Sequence, residues 1–219
     1  LVSFIGPRPN ILDHEGASKA KRLEVRQPIL TNGDLEKIRS IGHTEDRFDT
    51  KTLDFTYDVE RGVEAMPEML DRLCERAEAA VRSGYNIIVL SDRQVGPDRV
   101  AMPALLATAA VHNHLIRKGL PDALDLLVIC AEAGLTVDAA FARVAKELGR
   151  AYPELGDEFT LTSIELSFLT ERRQAFENLA YRVDLESVRG VVTTMIQTER
   201  YGTPLASALR VLSAEFRNE

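Results

Sequence analysis

The residues on either side of Leu120 and Pro121 follow two different hydrophobic patterns. Before Leu120, apolar residues alternate with polar ones or form short continuous runs, as in strands, and helical segments separate these runs. After Pro121, apolar residues recur at every third or fourth position to the end of the chain, as in consecutive amphipathic helices. Because a change of period marks a change of architecture, we predict two domains, residues 1–120 and residues 121–219.

The first part is predicted to be an α/β segment with parallel strands. In "TLDFTYDV", Leu53, Phe55 and Tyr57 alternate with polar residues, which predicts a half-buried strand. A helix is predicted to follow and to end at Gly84, and the run "NIIVL" predicts a strand buried on both faces. A second helix is predicted over about residues 103–118. This order of elements indicates a parallel βαβ arrangement. The apolar face expected for the second helix consists of Leu105, Ala109, His112 and Ile116.

The second part is predicted to be an all-α bundle of six helices. The first of these helices is expected to begin at Pro121, because proline is well tolerated at the first helical position. The third helix, roughly residues 155–168, is expected to bury Leu161, Ile164 and Phe168. Since six amphipathic helices joined by short turns depend on local contacts, we expect this part to fold without the first.

The loop after "NIIVL" is the place where a parallel sheet offers ligand-binding residues. Ser91, Asp92 and Arg93 are therefore the candidates for ligand binding in the first part. A simpler alternative is that Asp92 caps the loop while Arg93 pairs with a neighbouring acidic residue. The sequence does not decide between these two interpretations.

No metal, cofactor or catalytic residue is predicted. His112 and His114 are two positions apart, which on a helix separates their side chains by about 200° and does not favour a shared ion. Cys74 and Cys130 are isolated, so neither a zinc site nor an iron–sulfur cluster is expected. The sequence also lacks a GxGxxG motif and a P-loop, which are the glycine-rich signatures of nucleotide binding.

Charge and hydropathy restrict the kinds of partner. The net charge of −7 and the lack of a basic run argue against nucleic acid, and no apolar run is long enough to predict a membrane span. Two charged strips in the second part are candidate protein-binding surfaces, although such strips are commonly only solvated faces. The candidates are Glu171, Arg172 and Arg173 in one strip and Glu199 and Arg200 in the other.

Three strings in the first part, "SFIGPRPNILDHEG", "RLEVRQPIL" and "SGYNIIVLSDRQVGPDRVAMPALLATAAVHNHLIRKGL", carry a family resemblance. They resemble the central domain of the large subunit of glutamate synthase, over essentially all of residues 1–120. The resemblance implies a non-catalytic domain that lies between an amidotransferase and a flavin and iron–sulfur domain, and helps to form the ammonia passage. It also implies a further parallel strand after Leu120. Because a helix is predicted there instead, we expect an incomplete βαβ segment with an open sheet edge that leaves Leu105, Leu106 and Leu115 partly uncovered.

Two strings in the second part carry another resemblance, "LPDALDLLVICAEAGLTVDAAFARVAKELGRAYPELGDEFTLTSIEL" and "RRQAFENLAYRVDLESVRGVVTTMIQTERYGTPLASALRVLSAEFRNE". They resemble the type II secretion system F domain in its tight-adherence pilus form. The resemblance implies a cytoplasmic helical domain of an inner-membrane platform protein, whose partners are an assembly ATPase and neighbouring platform subunits. It implies no enzyme activity.

These two resemblances do not suggest a single function. We expect a chimeric chain that joins a glutamate synthase linker domain to a pilus-assembly interaction domain, by construction, by assembly error or by natural gene fusion. The alternative is a fragment of glutamate synthase that contributes to glutamate biosynthesis and nitrogen assimilation, with the neighbouring synthase domains as partners. In either case we expect a cytoplasmic location, with the second part at the inner face of the inner membrane in its parent protein.

Overall fold

The structure is a computed structural model that describes residues 3–5, 23–25, 27–43, 48–149, 151–201 and 205–217. Contacts divide the chain into two compact units. The first unit includes Glu24–Leu115 and the second includes Ile116–Glu219. Each unit has a hydrophobic core of its own, so each is described separately.

The first unit mixes short strands with helices. The chain begins with two short strands, β1 (Ser3–Ile5) and β2 (Leu23–Val25). The elements of the first unit that follow them are α1 (Asn32–Arg39), β3 (Thr50–Asp54), β4 (Thr56–Asp58), α2 (Met66–Arg82), β5 (Ile87–Ser91), β6 (Arg99–Ala101) and the beginning of α3 (Ala104–Glu132). Single 3₁₀ turns cover Ile41–His43, Val59–Arg61 and Val63–Ala65.

Strands β3 and β5 form the predicted parallel pair, with α2 between them in sequence. Their register runs from Thr50 opposite Ile87 to Asp54 opposite Ser91. Strand β4 pairs antiparallel with β6, a strand that the sequence pattern did not predict. The predicted α/β class is confirmed. The core consists of Leu53, Phe55, Tyr57, Leu73, Cys74, Ala77, Val81, Met102, Ala107, Val111 and Leu115.

Two burial predictions for the first unit are wrong. Strand β5 is half-buried along its whole length and is not enclosed on both faces. The first part of α3 buries Ala107, Val111 and Leu115 in the core of the first unit. Of the predicted face, Leu105, Ala109 and His112 are exposed, whereas Ile116 is buried in the core of the second unit. A continuous apolar stretch such as "MPALLATAAV" offers several possible stripes, and packing against α2 and β3 selects one of them. Leu105 and Leu106 are exposed as expected, whereas Leu115 is fully covered.

The second unit is the predicted bundle. It contains the later part of α3 together with α4 (Val137–Leu148), α5 (Pro153–Phe168), α6 (Arg172–Val183), α7 (Glu186–Tyr201) and α8 (Leu205–Phe216). Its largest fully buried side chains are Phe141, Phe159, Phe176, Ile116, Leu120, Leu124, Leu155, Leu179, Met195, Leu209 and Val144. Phe159 lies 4.8 Å from Phe141 between ring centroids, so aromatic residues occupy the middle of this core.

Helix α3 continues through Pro121, so the prediction that a new helix begins there is wrong. An interior proline removes one helical hydrogen bond and costs about 3 kcal/mol. Ile116 and Leu120 lie before the proline and Leu124 after it, and all three are at most 1% exposed in the same core. Burial of such a side chain stabilises the fold by about 1.5–3 kcal/mol. The burial of these three side chains therefore outweighs the free-energy cost of a proline inside the helix.

Two close contacts require glycine in the bundle. A Cβ atom on Gly119 would lie 2.6 Å from Cγ of Tyr152, so the tyrosine ring packs directly on the α3 backbone. A Cβ atom on Gly156 would lie 2.7 Å from Cα of Gly149, where the end of α4 meets the start of α5. Any larger residue at either position would force backbone or ring atoms to move.

Helix α5 does not bury the predicted stripe. Leu161 and Ile164 are only half-buried and Phe168 is exposed, whereas Thr162 and Ser163 lie inside. Both hydroxyls have acceptors, because Thr162 Oγ1 donates to the carbonyl of Glu158 (2.8 Å) and Ser163 Oγ to the carbonyl of Asp138 (3.2 Å). Because both hydroxyls are hydrogen-bonded, their burial costs little free energy. A search for apolar positions alone could not identify these two buried residues.

Among the described residues, none of the helices is both long enough and apolar enough to cross a membrane.

Candidate functional site

The loop after β5 places Ser91, Asp92 and Arg93 in succession without directing them at one point. Ser91 ends the strand half-buried, and its hydroxyl accepts from the backbone N–H of Arg93 (3.4 Å). Asp92 is exposed, and its carbonyl accepts from the N–H of Val95 (2.9 Å), which closes the loop.

Arg93 turns away from the sheet and contacts α1. Its Nη2 donates to Oδ1 of Asn32 (2.8 Å), and its Nη1 lies 3.6 Å from Oε1 of Glu36. The side chains of Arg93 and Glu36 are 50% and 56% exposed, so this is a weak surface ion pair. The arrangement agrees with the simpler interpretation of the loop, in which Arg93 pairs with a neighbouring acidic residue. The ligand-binding role of these three residues stays a prediction.

A tighter polar cluster lies at the same edge of the sheet and was missed by sequence reasoning. Arg99 Nε donates to Oγ1 of Thr56 (2.8 Å), and Arg99 Nη2 donates to Oδ2 of Asp54 and to the carbonyl of Thr56 (both 2.8 Å). The other carboxylate oxygen of Asp54 accepts from the N–H and the hydroxyl of Thr56 (3.0 and 2.9 Å). This cluster ties β6 to the end of β3. Its signal in the sequence was the pair of polar positions, Asp54 and Thr56, between the buried Leu53, Phe55 and Tyr57.

The two predicted charged strips of the bundle meet at one ion pair. Arg172 Nε lies 2.8 Å from Oε1 of Glu199, which connects the start of α6 to α7. Glu171 precedes α6 at its N-cap and its carbonyl accepts from Gln174 (3.1 Å). The side chain of Arg200 lies outside the described residues. The two strips are thus joined through Arg172 and Glu199, and their role in partner binding stays a prediction.

Arg173 belongs to a different face of α6. Its Nε lies 2.7 Å from Oε1 of Glu177, and this hydrogen bond raises the pKa of the Arg173 guanidinium above its usual value. Tyr181 follows one turn after Glu177 and is 88% exposed. We call Arg173, Glu177 and Tyr181 the outer face of α6, since positions four apart share a side of a helix. Sequence reasoning missed Tyr181, although it stands outside the buried stripe of that helix.

A second charge cluster is largely enclosed between α5 and α6. Arg182 Nε lies 2.6 Å from Oε2 of Glu158, and its Nη1 lies 2.8 Å from Oε1 of Glu165. Nη2 of Arg182 donates to Oγ1 of Thr162 (3.1 Å). The three charged side chains are each about one-fifth exposed, and every contact joins one helix to another. The cluster therefore fixes helix packing.

An open groove of 840 Å³ lies between α7 and α8. Its lining includes Asp184, Glu186, Arg189, Gly190 and Leu212. Two of its charged lining residues, Arg189 and Asp184, form an ion pair with each other. Within the part of the chain that the structure describes, no group of three or more histidine, cysteine or acidic residues could hold a metal ion.

Comparison with known proteins gives the two parts different relatives. The family model of the glutamate synthase central domain matches residues 1–143, and that of type II secretion system protein F matches residues 123–219. The two matches overlap over residues 123–143, which contain the end of α3 and the first half of α4. The match to the synthase domain therefore extends beyond Leu120.

Curated relatives of the first part are all much longer than this chain. The large chain of NADPH glutamate synthase from Azospirillum brasilense is 38% identical over 133 residues, which is 60% of this chain and 8% of that protein. The chloroplastic ferredoxin-dependent glutamate synthase of Spinacia oleracea is 38% identical over 131 residues, 58% of this chain and 8% of that protein. The NADH glutamate synthase of Schizosaccharomyces pombe is 30% identical over 157 residues, 67% of this chain and 7% of that protein.

The synthase match thus covers the parallel βαβ segment and the first part of the helical bundle, and the second match lies within the bundle. The chain belongs to the glutamate synthase central domain family through residues 1–143, and its residues 123–219 match the family of type II secretion system protein F.

Proposed function

We propose that the chain joins two non-catalytic modules with no common activity. The first, residues 1–120, is a scaffold module of the glutamate synthase type, whose role in a complete synthase is to connect domains around the ammonia passage. The second, residues 121–219, is a protein-interaction module of a pilus-assembly platform. The observation that carries this proposal is that two different family models match the chain, over residues 1–143 and residues 123–219, in a chain that has two separate hydrophobic cores.

The chimeric origin is tested by the DNA on either side of the coding segment. We expect the sequence downstream to encode apolar membrane segments, as a platform protein would require, and the sequence upstream to encode an amidotransferase domain. Reading across the codons of Leu120 and Pro121 in independent clones distinguishes a stable fusion from an assembly error. A flavin-domain sequence directly downstream would contradict the chimera and support a synthase fragment.

The partner-binding surface of the bundle is proposed to include the outer face of α6. Tyr181 is almost fully exposed beside charged residues, and exposed tyrosine is a residue type that contributes strongly to binding energy at interfaces. Arg172 lies at the start of the same helix and pairs with Glu199 of α7, and the candidate Glu171 immediately precedes it. The candidate Arg200, whose side chain lies outside the described residues, stays part of the proposal on sequence grounds alone. The proposed partners are an assembly ATPase or a neighbouring platform subunit.

Binding measurements with purified partners test this surface. We expect Tyr181→Ala to weaken binding of the ATPase or platform subunit about tenfold, which corresponds to about 1.4 kcal/mol. Val211→Ala is the matched control, because Val211 is 68% exposed on another helix of the bundle. Equal affinities of the two variants would remove the outer face of α6 from the proposal.

A second candidate function is a fragment of glutamate synthase. The extension of the synthase match to residue 143 and the alignment of 157 residues with the yeast protein favour this alternative, because both continue past Leu120. Ser91, Asp92 and Arg93 would then be candidates for contact with a ligand or a neighbouring synthase domain. In isolation the chain is expected to form no glutamate from 2-oxoglutarate and glutamine and to retain no flavin. Stoichiometric flavin after purification would contradict that expectation.

A cytoplasmic location is proposed for both candidate functions. It is supported by Cys74 and Cys130, which are buried thiols, since thiols are kept reduced in the cytoplasm. In a platform protein, the second module would lie at the inner face of the inner membrane.

A further inference from the structure

We propose that Asn32 is a site of spontaneous deamidation, and that Arg93 both promotes the reaction and binds its product. Asn32 is the first residue of α1, Gly33 follows it, and both are exposed. Arg93 Nη2 donates a 2.8 Å hydrogen bond to Oδ1 of Asn32. The structure thus brings three features together: the side-chain amide of Asn32, a glycine immediately after it, and the Arg93 guanidinium on the amide oxygen.

The first step is an attack by the backbone nitrogen of Gly33 on Cγ of Asn32. A bond forms between these atoms, the Cγ–Nδ2 bond breaks, and the nitrogen leaves as ammonia with the proton that Gly33 loses. The product is a five-membered succinimide ring. The first N–H groups of a helix have no acceptor within the helix, so this nitrogen need not give up a helical hydrogen bond.

Glycine makes that attack sterically possible. A Cβ atom on residue 33 would otherwise stand beside the forming ring, and glycine reaches backbone conformations that other residues avoid. The surroundings are also open, because even an added Cβ atom would approach nothing nearer than Oγ1 of Thr31, at 3.8 Å. The Asn32–Gly33 peptide therefore has room to rearrange at the surface.

Arg93 acts on the amide oxygen. The attack converts the Asn32 carbonyl into a tetrahedral centre whose oxygen becomes negatively charged. A guanidinium that already donates to this oxygen stabilises the developing charge more than the neutral amide, which lowers the barrier. Glu36, whose Oε1 lies 3.6 Å from Nη1 of Arg93, adds a weak ion pair that favours the same direction of the side chain.

Water then opens the ring at one of its two carbonyl carbons. Opening in one direction gives an aspartate, whose carboxylate faces Arg93 and the positive end of the α1 dipole, and both are favourable for a negative charge. Opening in the other direction gives an isoaspartate, which adds a carbon atom to the main chain at the start of α1. That change displaces the capping box in which Thr31 and Asp34 bond to each other.

Incubation of the full chain in mildly alkaline buffer, followed by peptide mapping that separates aspartate from isoaspartate, tests the site. We expect Asn32 to deamidate faster than Asn86, Asn113 and Asn178, and Gly33→Ala to abolish this difference. Asn86 is the matched control, because its Oδ1 also accepts a hydrogen bond (from the N–H of Asp49, 2.9 Å) but isoleucine follows it. Equal rates at Asn32 and Asn86 would overturn the proposal.

Arg93 is tested by rate and by stability. Arg93→Gln is expected to slow deamidation at Asn32 about tenfold, and Arg93→Lys, which keeps the charge, to slow it less. Asn32→Asp, which imitates the aspartate product, is expected to lower the unfolding equilibrium constant of the first unit several-fold in urea. When Arg93→Gln is added, this gain in stability is expected to shrink to the smaller part that the α1 dipole contributes. A deamidation rate that Arg93→Gln leaves unchanged or raises, or a stability gain of equal size with and without Arg93, would refute its role.

Discussion

Removal of the residues before Pro121 is expected to destabilise the bundle strongly, even though Pro121 marks the change of pattern in the sequence. Ile116 and Leu120 precede the proline, and both are at most 1% exposed in the core of the second unit. Each contributes about 1.5–3 kcal/mol by burial, so their joint loss amounts to about 3–6 kcal/mol. A small domain is stable by only about 5–15 kcal/mol in total. A fragment of residues 121–219 therefore loses a large share of its stability, together with the contact of Gly119 with Tyr152.

Circular dichroism during urea unfolding measures this effect in two fragments, residues 112–219 and residues 121–219. The longer fragment is expected to unfold in one cooperative transition and the shorter one at a much lower urea concentration, or without cooperativity. Leu120→Ala in the longer fragment should cost about 2–5 kcal/mol. Ile129→Ala on the same helix is the control, because Ile129 is 60% exposed and should change stability by less than about 0.5 kcal/mol. Identical midpoints for the two fragments would refute the assignment of Ile116 and Leu120 to the bundle core.

Three further predictions concern packing and charge. Gly156→Ala should destabilise the bundle by about 1–3 kcal/mol in urea unfolding, because of the contact at the α4–α5 junction, whereas Gly190→Ala, whose added Cβ has no contact closer than 3.9 Å, should be neutral or stabilising. Arg182→Gln should cost about 2–3 kcal/mol in the same assay, since it leaves two largely enclosed carboxylates without their cation, and an unchanged midpoint would contradict this. Hydrogen bonds from the side chain and the backbone of Thr31 lower the pKa of Asp34 below its ordinary value of 3.8, so the cap contribution is present above that value and is lost as the pH falls through the lowered pKa of the folded state. An NMR titration should show this shift, and Thr31→Val, which removes the hydroxyl and keeps the backbone N–H, should reduce it.

The sequence predicted the fold class because the hydrophobic periods of its elements are distinct. Leu53, Phe55 and Tyr57 alternate as a strand must, and all three are buried. In α6, Phe176, Leu179 and Val183 form a single apolar stripe, and the structure buries that stripe. Where the apolar residues of a helix or strand lie on only one face, the local sequence determines which side chains are buried.

Prediction failed where several faces were equally apolar or where tertiary contacts overrode a local preference. The start of α3 is apolar on more than one side, so its orientation depends on contacts with other elements. Proline is unfavourable inside a helix, yet packing on both sides of Pro121 maintains α3. The position of the Arg93 side chain likewise depends on a tertiary contact. The partner of Arg93 is Asn32, 61 positions away, and no local pattern in the sequence indicates that pair.

The close contact between Gly149 and Gly156 also bears on how the bundle folds in time. Among the described elements, α4 and α5 share the most extensive contact, and only a short turn separates them in sequence. Contacts between neighbouring segments form with little loss of loop entropy, so this helical hairpin is expected to be structured in the folding transition state. A substitution that disturbs it should then mainly slow folding, whereas one that loosens α8 should mainly accelerate unfolding. The glycine pair would thus set the rate at which the bundle forms as well as its stability.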